Sequence, residues 1–128
     1  MLYVPMWLFF KTLLLIYQMN WTDGFMGAIT VCDREGIVVY MNDLSKKEFA
    51  KYAEGGLVGK SLIDCHPEPA RTKLKTMLIE PISNTYSIEK RGIRKMIHQT
   101  PWIEDGQFMG VVEMSFEIPM ELPHHKRD

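Results

Sequence analysis

"AITVCDREGIVVYMN", residues 28–42, is the stretch whose reading decides the fold. Two short runs rich in β-branched residues, AITVCD (28–33) and GIVVYMN (36–42), flank the turn signal DREG. Such runs, joined by a tight turn that ends in glycine, predict a β-hairpin. Asn42 or Asp43 then caps a helix over LSKKEFAKYAE, where Leu44, Phe49 and Ala53 form a modest apolar stripe. Gly55-Gly56 stops that helix, because glycine takes the left-handed conformation without a Cβ penalty.

Downstream, LVGKSLIDC (57–65) is too short for a long element and reads as a loop with one helical turn. After Pro67 the best-defined helix begins. Ala70, Leu74, Met77 and Leu78 fall at i, i+4, i+7 and i+8, with Arg71, Lys73 and Lys75 elsewhere on the wheel. Pro67 and Pro69 are tolerated because the first helical N–H groups have no intrahelical partner, and Pro81 ends the helix. Three strands follow: TYSIEK (85–90), IRKMIHQTPW (93–102) and QFMGVVEMSFEI (107–118), turning at Arg91-Gly92 and Glu104-Asp105-Gly106. In the last, Phe108, Val112, Met114, Phe116 and Ile118 share parity with Gly110, while Glu113, Ser115 and Glu117 face the other way. Half-buried antiparallel strands alternate in this manner.

Upstream, MLYVPMWLFFKTLLLIYQM (1–19) is apolar almost all round, interrupted by Pro5, Lys11, Thr12 and Gln18. A transmembrane helix needs roughly 20 apolar residues, and a central lysine costs about 2.5–3.5 kcal/mol. A membrane anchor over residues 3–18 is therefore not favoured. A secretory signal is not indicated either: no Lys or Arg precedes Lys11, and Gln18-Met19-Asn20 resembles no cleavage site. The expectation is a helix docked on its own domain or on a second copy, with a true start at Met19 as a third option. The organisation expected is an apolar helix over 1–20, a domain over 21–119 and a polar tail over 120–128.

Bulk composition narrows the class. A chain of 128 residues makes one domain with a real core. A net charge of -1 lacks the basic excess of a nucleic-acid binder. Two cysteines, Cys32 and Cys65, form no disulfide framework, so reduced thiols and a cytoplasmic setting are the default. Ten methionines suit an adaptable core or pocket.

Two strands, short helices and a three-stranded meander closing on G-x-V-E-x-S-x-E-I-P resemble a PAS domain. AITVCDREGIVVYMN resembles the opening hairpin, LVGKSLIDCHP the stretch before the family's long helix, and PWIEDGQFMGVVEMSFEIP the closing pair of strands. The likeness spans roughly 25–119. It implies an α+β fold: a five-stranded antiparallel sheet with short helices on one face, a cavity between them, and an added N-terminal apolar helix. It further implies a sensory or interaction module that holds a small ligand or cofactor and dimerises through the outer sheet face or an N-terminal helix. No kinase, cyclase or DNA-binding effector fits in the residues outside the likeness, so the expectation is either a signalling partner, with the effector on a separate chain, or a freestanding sensor. A covalent flavin is disfavoured, because DCHPEPA does not match the N-C-R-F-L-Q-like stretch of the flavin-linked branch. Neither a P-loop nor a Rossmann glycine fingerprint is present.

Cys65-His66, just before the long helix, is the stretch with most chemistry. A thiolate nucleophile needs a histidine within reach and a third group orienting it. Adjacent residues on an extended chain point apart, so catalysis is disfavoured and the protein is expected not to be an enzyme. Haem iron takes His or Cys ligands, and some PAS domains hold haem from this side, so haem stays open with His66 or Cys65 as ligand and Met77, Met96 or His98 as distal neighbours. Zinc would need three or four ligands at recognisable spacing, which Cys65, His66 and His98 do not form. The bland alternative is a small buried Cys beside a His that holds the loop by a hydrogen bond. A thiol aimed at the helix N-terminus would instead have its pKa lowered by the dipole. Tyr40 and Tyr86 are strand phenols able to orient a ligand. The candidate ligand set is thus Cys65, His66, Tyr40, Met77, Tyr86, Met96 and His98. The function expected is a non-enzymatic, homodimeric sensory domain for a small apolar or planar ligand. Its rivals are a small α+β-cavity enzyme using Cys65 or His66 and a ligand-free dimerisation module.

Overall fold

The computed structural model of the chain describes residues 3–16 and 20–128. The expected beginning at Met19 and the Gln18-Met19-Asn20 junction thus fall wholly or partly outside the described residues. An apolar helix, α1 (Met6–Ile16), precedes the sheet. Five strands follow in the order β2-β1-β5-β4-β3, every neighbouring pair antiparallel. They are β1 (Ala28–Asp33), β2 (Val38–Met41), β3 (Asn84–Lys90), β4 (Ile93–Glu104) and β5 (Gln107–Ile118). Two short helices, α2 (Asp43–Glu48) and α3 (Ala70–Ile79), lie between β2 and β3 in the chain.

The opening hairpin forms for the reason its sequence suggests. Asp33 Oδ1 accepts from the backbone N–H groups of Glu35 and Ile37, each at 3.0 Å, and closes the turn. Gly36 takes φ +80°, where a Cβ would also press on Ile63 at 2.9 Å. The loop after α2 then seals the hairpin's outer edge: Val38 N–H donates to Lys60 O and Leu62 N–H to Gly36 O. Residues 57–65 thus act as an edge bridge, with Ser61 opposite Ile37.

Asn42 joins four segments and is fully buried. Its Oδ1 accepts from Ile29 N–H at 2.9 Å and from Ser45 N–H at 3.1 Å, the second bond capping α2. Its Nδ2 donates to Thr22 O at 2.9 Å and Gly27 O at 2.8 Å. Beyond Glu48 the expected longer helix gives way to successive turns, Tyr52 N–H to Phe49 O and Gly56 N–H to Ala53 O. Phe49 and Ala53 still pack on the core.

That core lies between the sheet and α3. Cys32, Val38, Met41, Val111, Leu57, Leu62, Leu74, Met77 and Leu78 make one buried cluster. Cys32 and Val111 face each other across β1 and β5, so the odd-numbered residues of β5 point toward the helices. The apolar parity of β5 therefore lies on the outer face. There Val112 and Met114 join Ile29, Val31 and Tyr40 under Trp21. Gly110 makes the close approach between strands, since a Cβ there would stand 1.9 Å from the Cys32 carbonyl oxygen.

Candidate functional site

A cleft of about 590 Å³ opens between the first turn of α3 and the inner face of β3 and β4. Pro69, Ala70 and Lys73 wall it from the helix, and Asn84, Tyr86 and Gln99 from the sheet. Its floor follows from strand register: Asn84 opposes Gln99, Gln99 opposes Glu113, and Glu113 opposes Thr30. This places one row of polar side chains across four strands on the helix-facing side. Asn84 Nδ2 donates to Gln99 Oε1 at 3.0 Å, and Gln99 Nε2 donates to Glu113 Oε2 at 2.7 Å. At the other end the Thr30 and Ser45 hydroxyls bond each other, fastening the sheet to α2.

Polar groups left over face the cleft. Asn84 Oδ1, the Tyr86 hydroxyl and the Lys73 ammonium have no partner within the described residues. Burial raises the Tyr86 pKa, and the nearby Glu113 carboxylate raises it further, so the phenol keeps its proton and serves as a donor.

Cys65 and His66 lie in the turn before α3. Both side chains address one acceptor: Cys65 Sγ donates to Leu62 O at 3.1 Å, and His66 Nδ1 lies 2.7 Å from the same oxygen. A carbonyl only accepts, so Nδ1 carries a proton and cannot act as base toward the thiol 3.6 Å away. His66 O accepts from Arg71 Nε at 2.9 Å, which ties the turn to α3. Half-buried against the core, Cys65 has its pKa raised, chiefly by burial. The thiolate-favouring geometry considered from sequence is corrected accordingly: the sulfur points to Leu62 O rather than to the α3 N–H groups.

The remaining candidates divide between locations. Tyr86 lines the cleft. Met77 is fully buried in the core behind it. Tyr40, Met96 and His98 fall on the outer face of the sheet, which corrects the expectation that they share a cavity with Cys65 and His66. The Tyr40 hydroxyl donates to Asp23 Oδ1 at 2.5 Å and accepts from the Thr22 hydroxyl at 3.0 Å. His98 Nδ1 pairs with Thr85 Oγ1 at 2.7 Å, and Met96 stands opposite Ser87 and Phe116. Their even numbering in β4 against odd-numbered Gln99 is the physical reason. Sequence reasoning missed Asn84, Gln99, Glu113 and Lys73. The row arises from strand register, Asn84 opposite Gln99 and Gln99 opposite Glu113, which no local pattern announces.

No family model matches the sequence, and no curated protein matches it at a significant level. Solved structures do match. The PAS domain of BvgS from Bordetella pertussis is 19% identical at a TM-score of 0.57, covering 82% of this chain and 86% of that one. A PAS domain from Colwellia psychrerythraea is 20% identical at 0.57, covering 82% and 97%. The Aer2 receptor of Vibrio cholerae, described as a dual PAS-haem oxygen sensor, is 22% identical at 0.53, covering 76% and 98%. The fold of this chain is the PAS fold: a five-stranded antiparallel sheet with short helices on one face.

The donor set of the cleft does not match a haem pocket. Its lining supplies no imidazole or thiolate, and Tyr86 is held as a neutral phenol. Among the described residues, no group of three His, Cys, Asp or Glu side chains is placed to hold a metal ion. No described helix is long and apolar enough to cross a membrane.

Proposed function

We propose that this chain is a cytoplasmic, non-enzymatic sensory domain in signal transduction that binds a small ligand in the cleft between α3 and the sheet. One observation carries the reading: Asn84, Tyr86 and Lys73 present unpartnered polar groups to a cleft of about 590 Å³. That size lies within the range of small-molecule sites, whose few polar groups fix orientation. Ligand contact at Asn84 bears on Gln99 and Glu113 through two hydrogen bonds, and Thr30 and Ser45 continue the row to α2. Asn42 joins α2 to Thr22, which gives the signal a route toward the N-terminal segment. The shared Leu62 acceptor and the neutral Cys65 thiol favour a structural role for Cys65-His66 over the enzyme reading.

The second element of the proposal is a homodimer. Val31, Val112 and Met114 form a half-buried apolar outer face around the buried Ile29, and Trp7, Phe9 and Phe10 of α1 are exposed. Burying these surfaces against a second copy removes apolar area from water, leaving the cleft free and a signalling partner to read the assembly. Native mass spectrometry of the full chain tests both elements. The expected spectrum is a dimer that carries a retained small molecule. A monomer that carries none, and whose cleft resonances no fragment shifts, overturns the proposal.

A further inference from the structure

We infer that the cleft takes a small organic monoanion, its anionic group held by Lys73 and a hydrogen-bond donor at its far end directed to Asn84 Oδ1. This rests on the cleft being a ligand site and goes further, to the chemistry of the ligand.

The argument begins with charge. Among the described residues Lys73 is the only charged one that lines the cleft; Glu113 stands behind Gln99. The neighbouring Arg71 is engaged, its Nε on His66 O and its Nη2 on Asp64 O, whereas Lys73 has no partner among the described residues. Between Pro69 and Ile79 the helix carries Arg71, Lys73 and Lys75 and no acid. An anion at the mouth therefore gains a charge-assisted bond without displacing an internal one.

Charge behind the floor has the opposite sign. Glu113 holds Gln99 Nε2 through Oε2 and is close enough to raise the Tyr86 pKa. A second negative charge driven to the floor would be repelled, which limits the ligand to one. What the floor offers instead is an acceptor, because Asn84 gives one Nδ2 hydrogen to Gln99 and leaves Oδ1 free. The Tyr86 hydroxyl supplies a donor between the two ends. Pro69 and Ala70 give the helix wall an apolar surface on which a ring or short chain can lie.

The probes are 3-aminobenzoate and its neutral counterpart 3-aminobenzamide, titrated into the full-length protein with the side-chain amide resonances of Asn84 and Gln99 as readout. The expected result is that the acid shifts both amides and binds about tenfold more tightly than the amide, the worth of one charge-assisted bond. Lys73→Met, on an exposed side chain, is expected to abolish that preference, so that the acid and 3-aminobenzamide bind about equally. Equal binding of the two probes at the cleft, or a preference for the acid that survives Lys73→Met, overturns the monoanion and leaves the ligand site standing. If neither probe moves either amide, both the monoanion and the ligand site fail.

Discussion

Replacing Asn42 with alanine is expected to destabilise the protein by about 4 kcal/mol, through backbone groups left without partners. Four bonds are lost at a fully buried position: those from Ile29 N–H and Ser45 N–H, and those to Thr22 O and Gly27 O. The Ser45 bond is a helix cap, worth about 1 kcal/mol. Ile29 N–H and Gly27 O are buried, and each unsatisfied group costs roughly 1–3 kcal/mol. Thr22 O is only partly buried and can turn to water, so it adds least. Asn42→Ser, which keeps a capping oxygen alone, should recover about 1 kcal/mol of the loss. Asn42→Asp keeps the acceptor for both N–H groups but sets a carboxylate oxygen against two carbonyls, so it should remain well below wild type. Urea unfolding followed by tryptophan fluorescence measures all three, with an unchanged m-value as the check that only stability has moved. A loss below about 1.5 kcal/mol for alanine, or a serine variant no better than alanine, would refute the bond-by-bond reasoning.

Two further outcomes follow from the core. Gly110→Ala places a Cβ 1.9 Å from the Cys32 carbonyl oxygen and 2.9 Å from Asp33 Cα, both backbone atoms of a paired strand. Its expected cost is at least ~3 kcal/mol, visible as a lowered urea midpoint, and a cost under ~1 kcal/mol would mean that β1 and β5 are not so closely paired. Burial raises the Cys32 thiol from an ordinary 9.0 to about 11. Its neutral form is thus favoured by folding, so the contribution is complete below pH 9 and is lost as pH rises through about 11. At about 1.4 kcal/mol per unit the loss is at most ~3 kcal/mol. Stability of the wild type should therefore fall more steeply than that of Cys32→Ala between those pH values, and parallel slopes would sink the argument.

The strands were legible because their signals are local. AITVCD is β1 residue for residue, and the last strand keeps its expected bounds. Asp33 and Gly36 specify the hairpin turn through bonds within five residues. The helix after Asn42 was legible at its start, where the cap is local, and not at its end, where Phe49 and Ala53 reach the core from turns rather than a continuous helix. The role of 57–65 as an edge bridge depends on Gly36 and Val38, some twenty residues upstream, and no local pattern announces it.

The site was harder for a different reason. Alternation tells which residues of a strand share a face, but not which face meets the helices. In β5 the apolar parity suggests a core-facing side, yet beside Gly110 the buried side chains are those of Val111 and Ser115, and Glu113 sits between them on the same side. Only the partners settle the matter: Thr30 on Ser45, Cys32 beside Val111, and Gln99 between Asn84 and Glu113. Once the face is fixed, the character of the ligand changes with it. A cleft floored by apolar residues would take an apolar guest and gain mostly from burial. A floor of two amides backed by a carboxylate gains little that way, because its groups lose water on binding and need partners in return. Discrimination at the proposed site would therefore come from matched hydrogen bonds and from the single charge at Lys73, while the exposed apolar surface lies on α1 and the outer sheet.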